Sequence, residues 1–129
     1  MVLPESRYVF ASDREAEPIA LKCNGIGLNN AILWYTIYDH VSNIPRNALV
    51  ETAKAIQYIR EHGEEQLIDL ENIIVCGFSA GGHLAIQIAT RCHQEWLAKK
   101  LNTTSDMPRV NLGIPCYAST KSERFKKMI

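Results

Sequence analysis

Ser79 lies in the run GFSAGG, with Gly77 two residues before it and Gly81 two residues after. A serine hydroxyl is a weak nucleophile; it attacks a carbonyl only when the backbone presents it clear of its neighbours and a base can take its proton. Glycines on both sides allow the chain to turn sharply around such a serine. The residues just before, IIVC, are apolar and mostly β-branched, and Gly82, Ala85, Ile88, Ala89 and Cys92 after it recur on one face of a helix. The pattern G-x-S-x-G therefore falls between a strand and a helix, the setting in which it forms a nucleophile elbow. Ser79 is the candidate nucleophile, and Gly77, Phe78, Gly81 and Gly82 shape the turn. The N–H of Ala80, at the helix start, is a candidate donor to the oxyanion of a tetrahedral intermediate.

A nucleophile of this kind needs a base, and the sequence holds four histidines. His83 follows Ser79 by four residues on the same helix, which directs its ring beneath the elbow, so it reads as a hydrogen-bonded packing group. His40 comes just after an apolar run and stands beside Asp39. Adjacent residues seldom form an Asp-to-His relay, so it reads as a loop histidine. His62 and His93 fall at helix ends, where a cation beside the last carbonyls needs no catalytic explanation. Asp106 and Glu123 come after Ser79, but no histidine follows them.

The elements that must position these groups alternate in period. Met1 to Pro4 reads as a piece of an apolar strand. SDREAEPIALKCNGIG has Ser12 and Asp13 as candidate caps, acids early and Gly25 and Gly27 at its end, so a helix is expected there, and Pro18 limits how early it can begin unless it falls in the first turn. NNAILWYTIYD has the composition of a buried strand. NIPRNALVETAKAIQYIREHG carries Pro45 near a helix start and Gly63 near its end, with Leu49, Ala53, Ile56 and Ile59 or Arg60 at helical spacing. IIVCGF is a short strand of the kind buried on both faces of a parallel sheet. His93 to Arg109 mixes a helix extension with a loop, and VNLGIPCYA reads as a last strand, broken by Pro115. Alternation of strand and helix predicts an α/β fold with a mostly parallel sheet of about four strands and helices on both faces. In such folds ligands bind at the edge where Ser79 would lie.

GFSAGGHLA, preceded by AKAIQYIREHGEEQLIDLENIIVC and by SDREAEPIA, resembles the α/β-hydrolase esterases and lipases of the acetyl esterase type, a group that includes xylan and other carbohydrate esterases. The resemblance runs from Pro4 to Tyr117. It implies a serine carboxylic ester hydrolase acting on a small ester through an acyl-enzyme on Ser79, with Ala80 as one oxyanion amide and no metal or organic cofactor. Two departures stand out. Enzymes of this type carry a turn such as H-G-G-G or P-G-G-G-Y that supplies a second oxyanion donor, and the matching residues here are Pro4, Glu5, Ser6, Arg7 and Tyr8. Glu, Ser and Arg resist the backbone angles glycine allows, and loss of one donor costs about 10² to 10³ in turnover. Ser6 or Arg7 would have to serve as substitute donors. The second departure concerns the order Ser, then Asp or Glu, then His, which these 129 residues do not complete. The expectation is one incomplete α/β-hydrolase domain over residues 1–129, the central part of the fold, with impaired turnover.

Fourteen basic and fourteen acidic side chains cancel, so nucleic acid and anionic lipid are not indicated as partners. No apolar run approaches the roughly 18 residues of a membrane span. Cys23, Cys76, Cys92 and Cys116 form no CxxC pair, which reads as reduced, buried thiols in a cytoplasmic protein. The competing reading is a non-catalytic α/β-hydrolase remnant, stabilised by a partner chain or as a homo-oligomer through exposed sheet edges.

Overall fold

A computed structural model describes residues 1–6, 8–37, 44–118 and 120. Three parallel strands form the sheet in the order β1 (Val2–Leu3), β2 (Ile74–Phe78) and β3 (Leu112–Cys116). Among the described residues four α-helices accompany them: α1 (Glu17–Gly25), α2 (Ile44–His62), α3 (Ala80–Arg91) and α4 (Glu95–Leu101). The α/β class and the parallel sheet are those the sequence predicts.

The fourth expected strand contributes a single parallel bridge, Ile32 to Val2, on the side of β1 away from β2. Val2 donates to the Ala31 carbonyl at 2.8 Å and accepts from the Leu33 N–H at 3.0 Å. Its neighbour explains the brevity, since β1 is two residues long and offers no further ladder. Beyond the bridge, the Thr36 N–H and hydroxyl turn to the Glu51 carboxylate of α2 instead.

Alternation along the strands separates two faces. Leu3, Val75, Gly77 and Gly113 face α3, where Leu84, Ala85 and Ile88 are buried against them. Gly113 is needed for that approach, because a Cβ there would stand 3.0 Å from the Ala89 Cβ. Behind α3 lies α2, whose Ala48, Leu49, Ala53 and Ile56 are buried at the predicted spacing, and α4 closes the layer with Leu97. On the opposite face lie Val2, Cys76 and Ile114, partners in register across the three strands. Over β3 that second face carries Leu112 and Ile114, 50% and 40% exposed. β3 pairs only with β2 among the described residues. An edge strand of this kind accommodates Pro115 within the strand, because its missing N–H removes no central ladder bond.

Two expectations are corrected. Ser12 precedes a 3₁₀ turn at Asp13–Glu15 and makes no side-chain cap bond; α1 begins later, with Pro18 as its second residue. Of the four cysteines, all free, only Cys92 is buried. No helix of the described residues is long and apolar enough to cross a membrane.

Candidate active site

The chain runs from β1 to the Ile32 bridge on one side, then returns to β2 on the other. The loops after β1 and β2 therefore diverge, and the crevice between them at the carboxyl ends of the strands is where open α/β sheets hold ligands. Ser79 stands at that point, immediately after β2.

Its backbone is strained, with φ 50° and ψ −109°, a combination foreign to ordinary L-residues. The glycines make this turn feasible by allowing three close approaches. A Cβ on Gly77 would meet the Gly81 carbonyl at 2.1 Å, one on Gly81 the Leu3 carbonyl at 2.2 Å, and one on Gly82 the Cys116 carbonyl at 3.0 Å. The Ser79 N–H donates to that same Cys116 carbonyl at 3.0 Å, tying the elbow to β3. Although Ser79 occupies the N-cap of α3, its hydroxyl makes no cap bond. Ala80 begins the helix, where N–H groups have no intrahelical acceptor and can serve a developing anion.

The turn after β1 is held by a chain of hydrogen bonds. The Tyr8 N–H donates to Ser6 Oγ at 2.9 Å, Ser6 Oγ meets Tyr35 Oη at 2.9 Å, and Tyr35 donates to the Pro4 carbonyl at 2.6 Å. Because the Tyr35 proton is committed to Pro4, the Ser6 proton goes to Tyr35. Burial pushes the Tyr35 phenol up to about 12 against the opposing Ser6 bond, so it remains a donor. The Ser6 hydroxyl, considered above as an oxyanion donor, is thus buried and engaged in bracing its own turn. Arg7, the other candidate, lies outside the described residues, as do Asp39, His40 and Glu123.

Sequence reasoning did not single out Tyr8. It has φ 57°, is buried, and its Oη lies 3.3 Å from the Ala80 carbonyl and 3.1 Å from His83 Nδ1. Gln87 Nε2 lies 3.0 Å from His83 Nε2. One proton arrangement runs through these bonds: Gln87 donates to Nε2, Nδ1–H donates to Tyr8, and Tyr8 donates to Ala80, with Gln87 Nε2 also 3.3 Å from Nδ1. Tyr8 thereby joins the turn after β1 to the first residue of α3. His83 is spent beneath the elbow, in keeping with its place on the helix. His62 ends α2 and His93 follows α3, both at the opposite edge of the sheet from Ser79. Among the described residues, none of the histidines is placed as a base for Ser79.

Burial, with Arg91 nearby, lowers the His83 pKa below the ordinary 6.5. The unfolded chain then binds the proton more readily, so stability is present above pH 6.5 and is lost as the pH falls toward the folded-state value. Urea unfolding should show lower stability at pH 5.5 than at pH 7.5, and His83→Gln should lose that part of the difference.

On the other side of Ser79, Glu15 joins two loops. One carboxylate oxygen accepts from the Glu5 N–H at 3.0 Å, and the other accepts from the Tyr117 hydroxyl. The Tyr117 ring lies 6.1 Å from that of Phe78, the residue before Ser79. Desolvation and the bonded Glu15 carboxylate raise the Tyr117 pKa, keeping it a donor. Among the described residues, no group of three or more His, Cys, Asp or Glu is placed to hold a metal ion.

A family model described as BD-FAE matches residues 35–127. Among solved structures, MGS-M1, an α/β hydrolase enzyme from a Medee basin deep-sea metagenome library, is 41% identical with a TM-score of 0.63, covering 69% of this chain and 36% of that one. An acetyl ester-xyloside bifunctional hydrolase from Caldicellulosiruptor lactoaceticus is 34% identical with a TM-score of 0.62, over 69% of this chain and 32% of that one. Endo-1,4-beta-xylanase B of Butyrivibrio fibrisolvens is 29% identical over 91 residues, 69% of this chain and 14% of its own length. The chain thus spans about a third of each solved structure and a small part of the xylanase.

Proposed function

Since this chain belongs to the BD-FAE family and has the α/β-hydrolase fold, we propose that it is a serine carboxylic ester hydrolase that forms an acyl-enzyme on Ser79. The observation that carries this reading is the strained serine at the switch point of the sheet, with its hydroxyl unused by the helix it caps. Ser79 Oγ attacks the ester carbonyl, and the oxyanion accepts from the Ala80 N–H and from an amide of the turn after β1. The alcohol leaves with a proton, and water then releases the acid. Small esters such as acetylated sugars or alcohols are the proposed substrates, in keeping with the acetyl ester-xyloside hydrolase among its structural relatives. With no histidine of the described residues beside Ser79, turnover by these residues alone is expected to be low, since the oxyanion hole and binding leave a residual rate when a triad member is missing. Four free thiols favour the cytoplasm.

A second reading rests on β3. Its outer edge and the exposed Leu112 and Ile114 suit pairing with another chain, which would make this a non-catalytic remnant stabilised by a second copy or a partner.

A fluorophosphonate probe separates the two. Labelling confined to Ser79 by mass spectrometry, and absent in Ser79→Ala, is the expected result. A folded sample that takes up no label would favour the non-catalytic reading.

A further inference from the structure

We infer that Glu15 sets the substrate charge of this site, selecting uncharged or cationic esters and rejecting those with an anionic group beside the scissile carbonyl. The inference rests on Ser79 being the nucleophile and concerns which esters reach it.

Strand order carries the argument. Because β2 lies between β1 and β3, any group that touches both the loop after β1 and the loop after β3 passes across the carboxyl end of β2. Glu15 does so, through the Glu5 N–H on one side and the Tyr117 hydroxyl on the other. Neighbouring strands are about 4.8 Å apart, so a carboxylate spanning two intervals sits within roughly 5 to 8 Å of the strand end between them. Tyr117 is pinned to that position by the Phe78 ring, and the Ser79 N–H bonds the carbonyl of the residue before Tyr117. The two bonds fix the carboxylate at the rim instead of letting it swing into water.

Two unit charges at that separation, at the edge of a protein, change an encounter equilibrium by about fivefold or more. A cationic or neutral group suffers no such penalty, and a sugar hydroxyl can donate to the lone pairs Glu15 has left. Tyr117 contributes by orienting the carboxylate, so its hydroxyl is a positioning group.

The test compares two fluorophosphonates that differ only in the tail, one ending in a neutral ether and one in a carboxylate, on the full chain. Wild type should label about fivefold faster with the neutral probe at low salt. That preference should shrink to about twofold or less at 0.5 M salt, where the Debye length is only a few ångströms. Glu15→Gln should shrink it at low salt too, whereas Tyr117→Phe, which keeps the carboxylate, should retain most of it. A preference unmoved by salt and by Glu15→Gln overturns the charge assignment while Ser79 keeps its role. If neither probe labels Ser79 in folded wild type, the nucleophile reading fails and the inference falls with it. The salt series needs no variant, so the test stands even if Glu15→Gln folds poorly.

Discussion

Gly81→Ala is expected to destabilise the chain by about 3 kcal/mol or more, since overpacking against backbone has no rotamer to relieve it. The added Cβ would stand 2.2 Å from the Leu3 carbonyl oxygen and 2.8 Å from that of Pro4. Both belong to the end of β1 and its turn, and neither can swing aside as a side chain could. Relief requires the start of α3 to retreat from β1, which lengthens the Tyr8 to Ala80 contact and separates the Ala80 N–H from the turn opposite. Stability and probe labelling of Ser79 should therefore fall together. Gly25→Ala is the control: it lies in α1 with nothing within 4 Å of a new Cβ, and the same change there should be neutral or stabilise by roughly 0.5–1 kcal/mol. Urea unfolding of the three proteins decides the matter. A Gly81→Ala midpoint equal to wild type would mean that α3 does not seat on β1 as tightly as these distances state.

The same contacts explain how much of the molecule was legible beforehand. IIVCGF, the elbow and the helix after it could be read because their determinants are local: a continuous apolar run, glycines at fixed offsets and a change of period. α2 was legible for the same reason, with Pro45 and Gly63 marking its ends and the buried face at helical spacing. The segment NNAILWYTIYD was misjudged in extent because a strand exists only if a neighbour is long enough to pair with, and β1 is two residues long. α4 (Glu95–Leu101) was legible only as an extension after His93, since seven residues hold too little periodicity to stand out.

The polar wiring of the site was the least accessible. Tyr8 and His83 are 75 residues apart, Glu15 and Tyr117 are 102 apart, and Ser6 and Tyr35 are 29 apart. A side chain's type says that it needs a partner when buried; only the fold says which partner arrives. Ser6 illustrates the point, because a hydroxyl in the place of a glycine looked like a donor for an oxyanion and is instead consumed by Tyr35. The Ser6 hydroxyl therefore braces the turn after β1 from within, between the Tyr8 N–H and Tyr35.

Ser79→Gly should separate stability from reactivity at the elbow. A non-glycine residue held at φ 50° and ψ −109° stores strain of order 1 to 3 kcal/mol, and removing the Cβ releases it. Against this, glycine widens the unfolded ensemble by roughly 0.5–1 kcal/mol, so the expected net gain is about 1 kcal/mol. Ser79→Ala keeps the Cβ and the strain and should stay near wild type in stability. Both variants lose the Oγ, and both should lose labelling at position 79 altogether. The informative comparison is thus between glycine and alanine, measured by urea unfolding, with labelling as the shared zero. A glycine variant more stable than the alanine variant would mean that the fold maintains an unfavourable backbone there for the sake of presenting a hydroxyl, which a purely structural turn has no reason to do. Equal stability would remove that argument and leave labelling as the sole support for a nucleophile.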